Sequence, residues 1–168
     1  ICDLEKAISL AERYIDSDGR LWSDVYYEDQ VIKDGRETIA QAFAVNSFRL
    51  LSRMEALLER TERAIQYEEI AQKLAETLSS VLPLGYWDAA RGRYVDWVDR
   101  KGDTHDHIHL LANELPVLFG SAGDAQAARV RSIVRRHDDV FMKFPSFVAA
   151  RIEDYTADEI GSGGPYDL

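Results

Sequence analysis

The spacing of its connections constrains this chain more than any single motif. Apolar residues recur at helical intervals in five stretches, and the links between them alternate between short and long. Leu4, Ala7, Ile8, Ala11 and Ile15 predict a first helix over residues 3–15, with Asp3 as its N-cap. Asp16-Ser17-Asp18-Gly19 breaks that pattern as a turn, and a loop continues to Gly35. A second helix is expected over 36–58, with Ile39, Phe43, Ser47, Leu50, Met54 and Leu57 as its inward stripe, widened by Ala40, Leu51 and Leu58. Thr61 caps a third over 62–81, with Ala64, Tyr67, Ile70, Ala71, Leu74 and Leu78 inward and Pro83 beyond its end. So short a link implies an antiparallel helical hairpin.

Residues 84–103 read differently. Aromatic and polar residues alternate through Tyr86-Trp87-Asp88 and through 93–99, around Ala-Ala-Arg-Gly, and predict a small β-hairpin near 86–98. A fourth helix over 106–119 is capped by Asp106, bent or ended by Pro116 and closed by Gly120; a fifth covers 125–136. The expected fold class is all-α. In a ring of helical hairpins, alternating short and long connections would place every long loop at the same end, and loops at one rim carry function while the helices carry the fold.

The net charge of −10 argues against nucleic acid or an anionic membrane surface as partner and is compatible with a neutral substrate. The single cysteine, Cys2, rules out an internal disulfide framework, and no apolar run is long enough to span a bilayer. The chain opens at Ile1 without Met and stops just after Gly-Gly-Pro-Tyr-Asp, so it is expected to be an internal piece of a longer protein; a cytoplasmic location is the working expectation.

Three constellations carry candidate chemistry. In Leu21-Trp22-Ser23-Asp24-Val25-Tyr26-Tyr27-Glu28-Asp29, aromatic rings alternate with carboxylates. Rings stack on pyranose faces and raise a neighbouring carboxyl pKa by desolvation, as a general acid for glycoside cleavage requires. The second is His105-Asp106-His107-Ile108-His109. On a strand its three imidazoles share a face; on a helix only His105 and His109 do, and either arrangement could hold zinc. The ligand set lacks a Cys partner and a nearby carboxylate motif, so no metal or other cofactor is expected. The third runs from Arg151-Ile152-Glu153-Asp154-Tyr155 to Gly163-Gly164-Pro165-Tyr166-Asp167, where an arginine fork could bind hydroxyl groups.

In this order the three loops resemble those of six-hairpin glycosidases, the (α/α)6-barrel group that includes glucoamylases and bacterial amylo-α-1,6-glucosidase-like proteins. Glucoamylases carry Asp-Leu-Trp-Glu-Glu after an outer helix, and Gly19-Arg20-Leu21-Trp22-Ser23-Asp24-Val25 stands in that place, with Ser23 at the first acidic position. Asp106 matches the Asp that opens the next inner helix. Arg151, Glu153, Asp154 and Gly163-Gly164-Pro165-Tyr166 resemble the loop ending in Gly-Asn-Pro-Trp.

The resemblance implies that residues 1–168 are part of one (α/α)6 catalytic domain, a partial toroid with one small β-hairpin insertion. It implies a hydrolase of glucoside-type oligo- or polysaccharide, expected to invert, with Asp24 as general acid and Glu28 as second choice. The opposing base would come from beyond Leu168, leaving the piece inactive alone. Trp22, Tyr27, Asp106, His107, Arg151 and Glu153 would bind the sugar, with loops 19–35, 84–106 and 151–167 gathered around one cleft. Two other readings compete. A helical-repeat interaction module is suggested by the tetratricopeptide-like look of 60–82, and a metal-dependent hydrolase by His105, His107 and His109.

Overall fold

A computed structural model describes residues 2–22, 31–137 and 154–160. The described elements run in the order α1 (Cys2–Glu12), β1 (Gly35–Glu37), α2 (Thr38–Leu57), α3 (Thr61–Ser79), β2 (Trp87–Asp88), β3 (Arg93–Tyr94), β4 (Trp97–Asp99), β5 (Thr104–His105), α4 (Leu110–Leu118) and α5 (Asp124–Arg136). The fold is helix-rich with two small antiparallel sheets, one ordered β1-β4-β5 and one β2-β3.

The α2–α3 hairpin is the frame. Its core side holds Ile39, Ala42, Val45, Phe48 and Leu51 from α2 against Tyr67, Ala71, Leu74 and Leu78 from α3. Ala112 and Leu115 of α4, Val130 of α5, and Tyr86, Trp87, Tyr94, Val95 and Val98 of the strand region complete that cluster. Each fully buried Leu, Val or Phe removes apolar surface worth about 1.5–3 kcal/mol from water, so this cluster dominates stability.

The inward stripe of α2 differs from the expected one. Phe43, Leu50 and Leu57 are 42%, 48% and 84% exposed, and Leu58 is exposed as well. Two apolar stripes lie on this helix, and periodicity alone does not say which one faces α3. The stripe through Ala42, Val45 and Ser52 wins because small residues let α3 approach closely, with Ser52 Oγ donating to the Ala64 carbonyl at 2.8 Å.

The expected hairpin is present, but the aromatic run serves two sheets. Trp87 pairs with Tyr94 and Asp88 with Arg93, and the Trp87 and Tyr94 rings meet edge to face at 4.9 Å. After Val95 the chain crosses over, and β4 pairs with β1 and with β5. The helix therefore starts at Thr38, not at 36: Arg36 and Glu37 are committed to the ladder opposite Val98 and Trp97. Gly35 allows it, with φ 139°, where a Cβ would collide with the Val98 carbonyl oxygen.

The fourth helix also starts later than expected, with His109 at its N-cap position and no side-chain cap. Asp106 does not cap it. Its carboxylate accepts a two-pronged bond from Arg93, Nε at 3.0 Å and Nη2 at 2.6 Å, and lies 2.9 Å from Arg91 Nε. With Thr104 and His105 in the sheet and Asp106 drawn to the β3 arginine, α-helical geometry begins only at Leu110. Pro116 lies inside the last turn, α4 ends two residues later, and Gly120 follows with φ 66°. Buried Asn113 ties α4 to β3, accepting from Tyr94 N–H at 3.0 Å and donating to the His109 carbonyl at 3.0 Å.

Asp16–Gly19 is a turn, as expected: Asp16 Oδ1 accepts from the Asp18 and Arg20 N–H groups at 2.9 and 3.0 Å. Gln41 fastens this turn to the frame. Its amide donates to the Gly19 and Leu74 carbonyls and accepts from Leu21 N–H and the Tyr86 hydroxyl.

Candidate functional site

The register of the three-stranded sheet builds the site. Glu37 lies directly across from Trp97, and Trp97 from His105, so these three form one row across β1, β4 and β5. The row stands where α2 and α4 begin, because β1 runs straight into Thr38 and β5 leads through His109 into Leu110. Trp97 is almost wholly buried and is the floor. The His105 ring stacks on it at 4.1 Å and 5°, His107 follows at 5.5 Å and 23°, and Tyr155 lies 4.1 Å from His107.

A buried ion group supports that floor. Lys33 Nζ lies 2.8 Å from Asp96 Oδ1, 3.3 Å from Glu37 Oε1 and 5.6 Å from the centre of the Trp97 ring. The Tyr155 hydroxyl donates to Asp96 Oδ2 at 3.1 Å. One cation holds two carboxylates away from water, which is tolerable only while all three stay together. These side chains are sealed from solvent and support the rim from beneath.

The segment 154–160 closes over the row. Ile32 N–H donates to the Glu159 carbonyl at 2.7 Å, and Val31 bridges to Ile160. Glu159 Oε1 takes His105 Nδ1 at 2.5 Å and His107 Nε2 at 3.2 Å, while Oε2 accepts the Thr156 N–H at 2.7 Å. Burial works to raise the Glu159 pKa, but the Thr156 N–H and the two imidazoles outweigh it and hold the carboxyl down at about 2. Glu159 is therefore an anion across the neutral and mildly acidic range. His105 and His107, with side chains 24% and 12% exposed, form the solvent-facing edge.

Among the residues that the resemblance places at the sugar site, Trp22, Asp106 and His107 are described, and they contact three separate sets of neighbours. Trp22 is on the side of Asp16, to which its Nε1–H donates at 2.8 Å, with the Arg36 and Arg100 guanidiniums 5.6 and 5.9 Å from its ring. Burial tends to raise the Asp16 carboxyl, yet the Trp22 bond, two backbone N–H groups and Arg20 bring it below its ordinary value. Asp106 is held by Arg91 and Arg93. His107 is in the Trp97 row. Asp24, Tyr27, Glu28, Arg151 and Glu153 lie outside the described residues.

The described parts of the three long loops do meet, through Val31, Ile32, Lys33, Trp97, His105, His107, Tyr155 and Glu159. Of the histidine trio, His105 and His107 converge on one carboxylate while His109 is fully buried at the helix start. Among the described residues no group of three or more His, Cys, Asp or Glu side chains could hold a metal ion. Sequence reasoning missed Lys33, Asp96, Trp97 and Glu159 as members of the site. The alternating aromatic run held a signal for Asp96 and Trp97; Lys33 and Glu159 carried none.

No family model matches the sequence, and no curated protein matches it either. Among solved structures, the chain is similar to a GH78 family rhamnosidase of Bacillus sp. GL1, known from a crystal structure at 1.9 Å. The TM-score is 0.66 at 23% sequence identity over 78% of this chain. The match spans only 14% of the rhamnosidase. The likeness is one of fold: the chain folds like a part of that rhamnosidase structure.

Proposed function

We propose that this chain is part of a glycoside hydrolase, and that the Trp97 row with the segment 154–160 walls its saccharide cleft. The observation that carries this reading is the gathering of three separate loop segments where α2 and α4 begin, in a fold similar to part of a GH78 rhamnosidase. Loops gathered at one rim of a helical scaffold are where a glycosidase presents its chemistry. The exposed stripe Phe43, Leu50 and Leu57 on α2 supports it further, being the face that another helical hairpin would cover in a complete (α/α)6 toroid.

Asp24 remains the proposed general acid and Glu28 the alternative, with water activated by a base outside this chain in an inverting reaction. The substrate is a neutral glycoside, a glucoside by the sequence resemblance or a rhamnoside by the structural one. No cofactor is required, and we place the reaction in the cytoplasm. Among the described residues no helix is long and apolar enough to cross a membrane.

The test compares Asp24→Asn and Glu28→Gln in the full-length protein on natural glycosides and on aryl glycosides with very good leaving groups. Loss of the acid should abolish the first activity and spare the second, because a good leaving group needs no proton. If Asp24→Asn and Glu28→Gln both keep full activity on natural glycosides, neither is the acid. If the wild type hydrolyses no glycoside, the reading itself fails.

A further inference from the structure

Resting on the glycosidase reading, we infer that Glu159 is a positioning residue: it fixes the His107 ring so that Nδ1 presents an acceptor lone pair to a sugar hydroxyl. An ionised carboxylate only accepts hydrogen bonds, so each imidazole nitrogen facing Glu159 Oε1 must carry a proton. His105 is thereby protonated at Nδ1 and His107 at Nε2, 2.5 and 3.2 Å from that oxygen. For the neutral ring this assigns the tautomer from the partners. The two rings then differ. His105 turns both nitrogens to carboxylates, since its Nε2 lies 3.6 Å from Asp99 Oδ2, and Trp97 covers one ring face.

His107 has only one nitrogen committed. Nδ1 lies across the ring from Nε2, and it makes no bond among the described residues. Tyr155 lies 4.1 Å and Trp97 5.5 Å from the ring, and those two rings are themselves 6.3 Å apart, so the three form one aromatic cluster in which the bond to Glu159 sets the orientation of His107. A fixed acceptor at a rim paved with aromatic rings suits a polyhydroxylated, uncharged ligand, whose hydroxyl groups donate. It disfavours a ligand carboxylate, which would set anion against lone pair beside Glu159 and Asp99.

Two measurements decide it. The first is the long-range 1H–15N spectrum of histidine-labelled full-length protein at mildly alkaline pH. Wild type should show His107 as the Nε2–H tautomer, and Glu159→Gln, whose amide can donate as well as accept, should shift His107 to a tautomer mixture without unfolding. A purely structural Glu159 would leave that signature unmoved.

The second is titration with methyl α-D-glucopyranoside and methyl α-L-rhamnopyranoside. The His107 Nδ1 resonance should move with one of them. His107→Gln keeps a donor toward Glu159 and loses the Nδ1 position, and should weaken binding about tenfold, the loss of one hydrogen bond. His107→Asn keeps a polar atom near the Nδ1 position but none that reaches Glu159, so it too should bind about tenfold more weakly, and wild-type affinity in it would mean that Glu159 does not position the acceptor. An Nδ1–H tautomer in wild type, or unchanged binding in His107→Gln, overturns the inference and leaves the glycosidase reading standing. Binding of neither glycoside by wild type overturns the ligand role together with that reading, while the tautomer still judges what Glu159 does to the ring.

Discussion

Replacing Gln41 by leucine removes one side chain and strands four polar groups. Gln41 is fully buried, and its amide uses its whole bonding capacity. It donates to the Gly19 carbonyl at 2.8 Å and the Leu74 carbonyl at 2.9 Å, and accepts from Leu21 N–H at 2.8 Å and the Tyr86 hydroxyl at 3.0 Å. Leucine has similar volume, so little packing is lost. The Tyr86 hydroxyl is sealed from water and bears a full desolvation penalty of about 1–3 kcal/mol. Leu21 is half-buried, so its N–H recovers part of its hydration and costs about 1 kcal/mol, while Gly19 is buried and its stranded carbonyl costs about 1 kcal/mol or more. Leu74 lies within α3, where its carbonyl keeps a helical partner, and it adds little. The added apolar burial returns about 1 kcal/mol, leaving a net loss of about 3 kcal/mol. Equilibrium urea denaturation followed by tryptophan fluorescence reads this as a midpoint drop of about 1.5 M for a slope near 2 kcal/mol/M. Adding Tyr86→Phe removes the most costly orphan and should recover about 1 kcal/mol or more. A loss under about 1 kcal/mol, or no recovery in the double variant, would refute the claim that Gln41 holds the turn before Trp22.

Three further outcomes follow from the same structure. Glu159 has a pKa lowered from 4.5 to about 2, so its stabilisation is complete above 4.5 and is lost as pH falls toward 2; Glu159→Gln should be less stable at neutral pH and flatter in urea titrations across that window, and parallel curves would contradict it. Lys33→Met leaves Asp96 and Glu37 buried without their shared cation and should lose about 3–5 kcal/mol, whereas Lys33→Met with Asp96→Asn should lose less, as calorimetry can show. Gly35→Ala drives a Cβ into the Val98 carbonyl at a positive φ and should lower stability by about 2 kcal/mol or more, measured by thermal unfolding; a neutral effect would mean that β1 does not pair with β4 as described.

How much of this was legible depended on whether a feature is local. The helices α2, α3 and α5 follow from apolar spacing, and the turn at Asp16–Gly19 from its residue types, because both are decided within a few residues. The facing of α2 was not legible, since two stripes compete and the choice belongs to the neighbours. Strand β1 was hidden for a stronger reason. Gly-Arg-Glu has no strand character of its own, and its pairing is with residues some sixty positions later. Asp106 looked like a helix cap by position, and only the tertiary placement of Arg91 and Arg93 shows where its charge is spent. The partnership of His105 and His107 with Glu159 joins residues more than fifty positions apart, so a single sequence gives the histidines but not the carboxylate that sets their roles.

The central claim is that the rim around Trp97 is the wall of a saccharide cleft. Hydrogen–deuterium exchange of the full-length protein, with and without a saturating gluco- or rhamno-oligosaccharide, tests it most directly. The predicted result is protection of residues 31–37, 95–109 and 154–160 together, with α3 and α5 unchanged. Protection confined to another face, such as the groove lined by Arg49, Glu68 and Gln126 between α3 and α5, would contradict the claim, as would no protection at this rim in a protein that still cleaves the sugar.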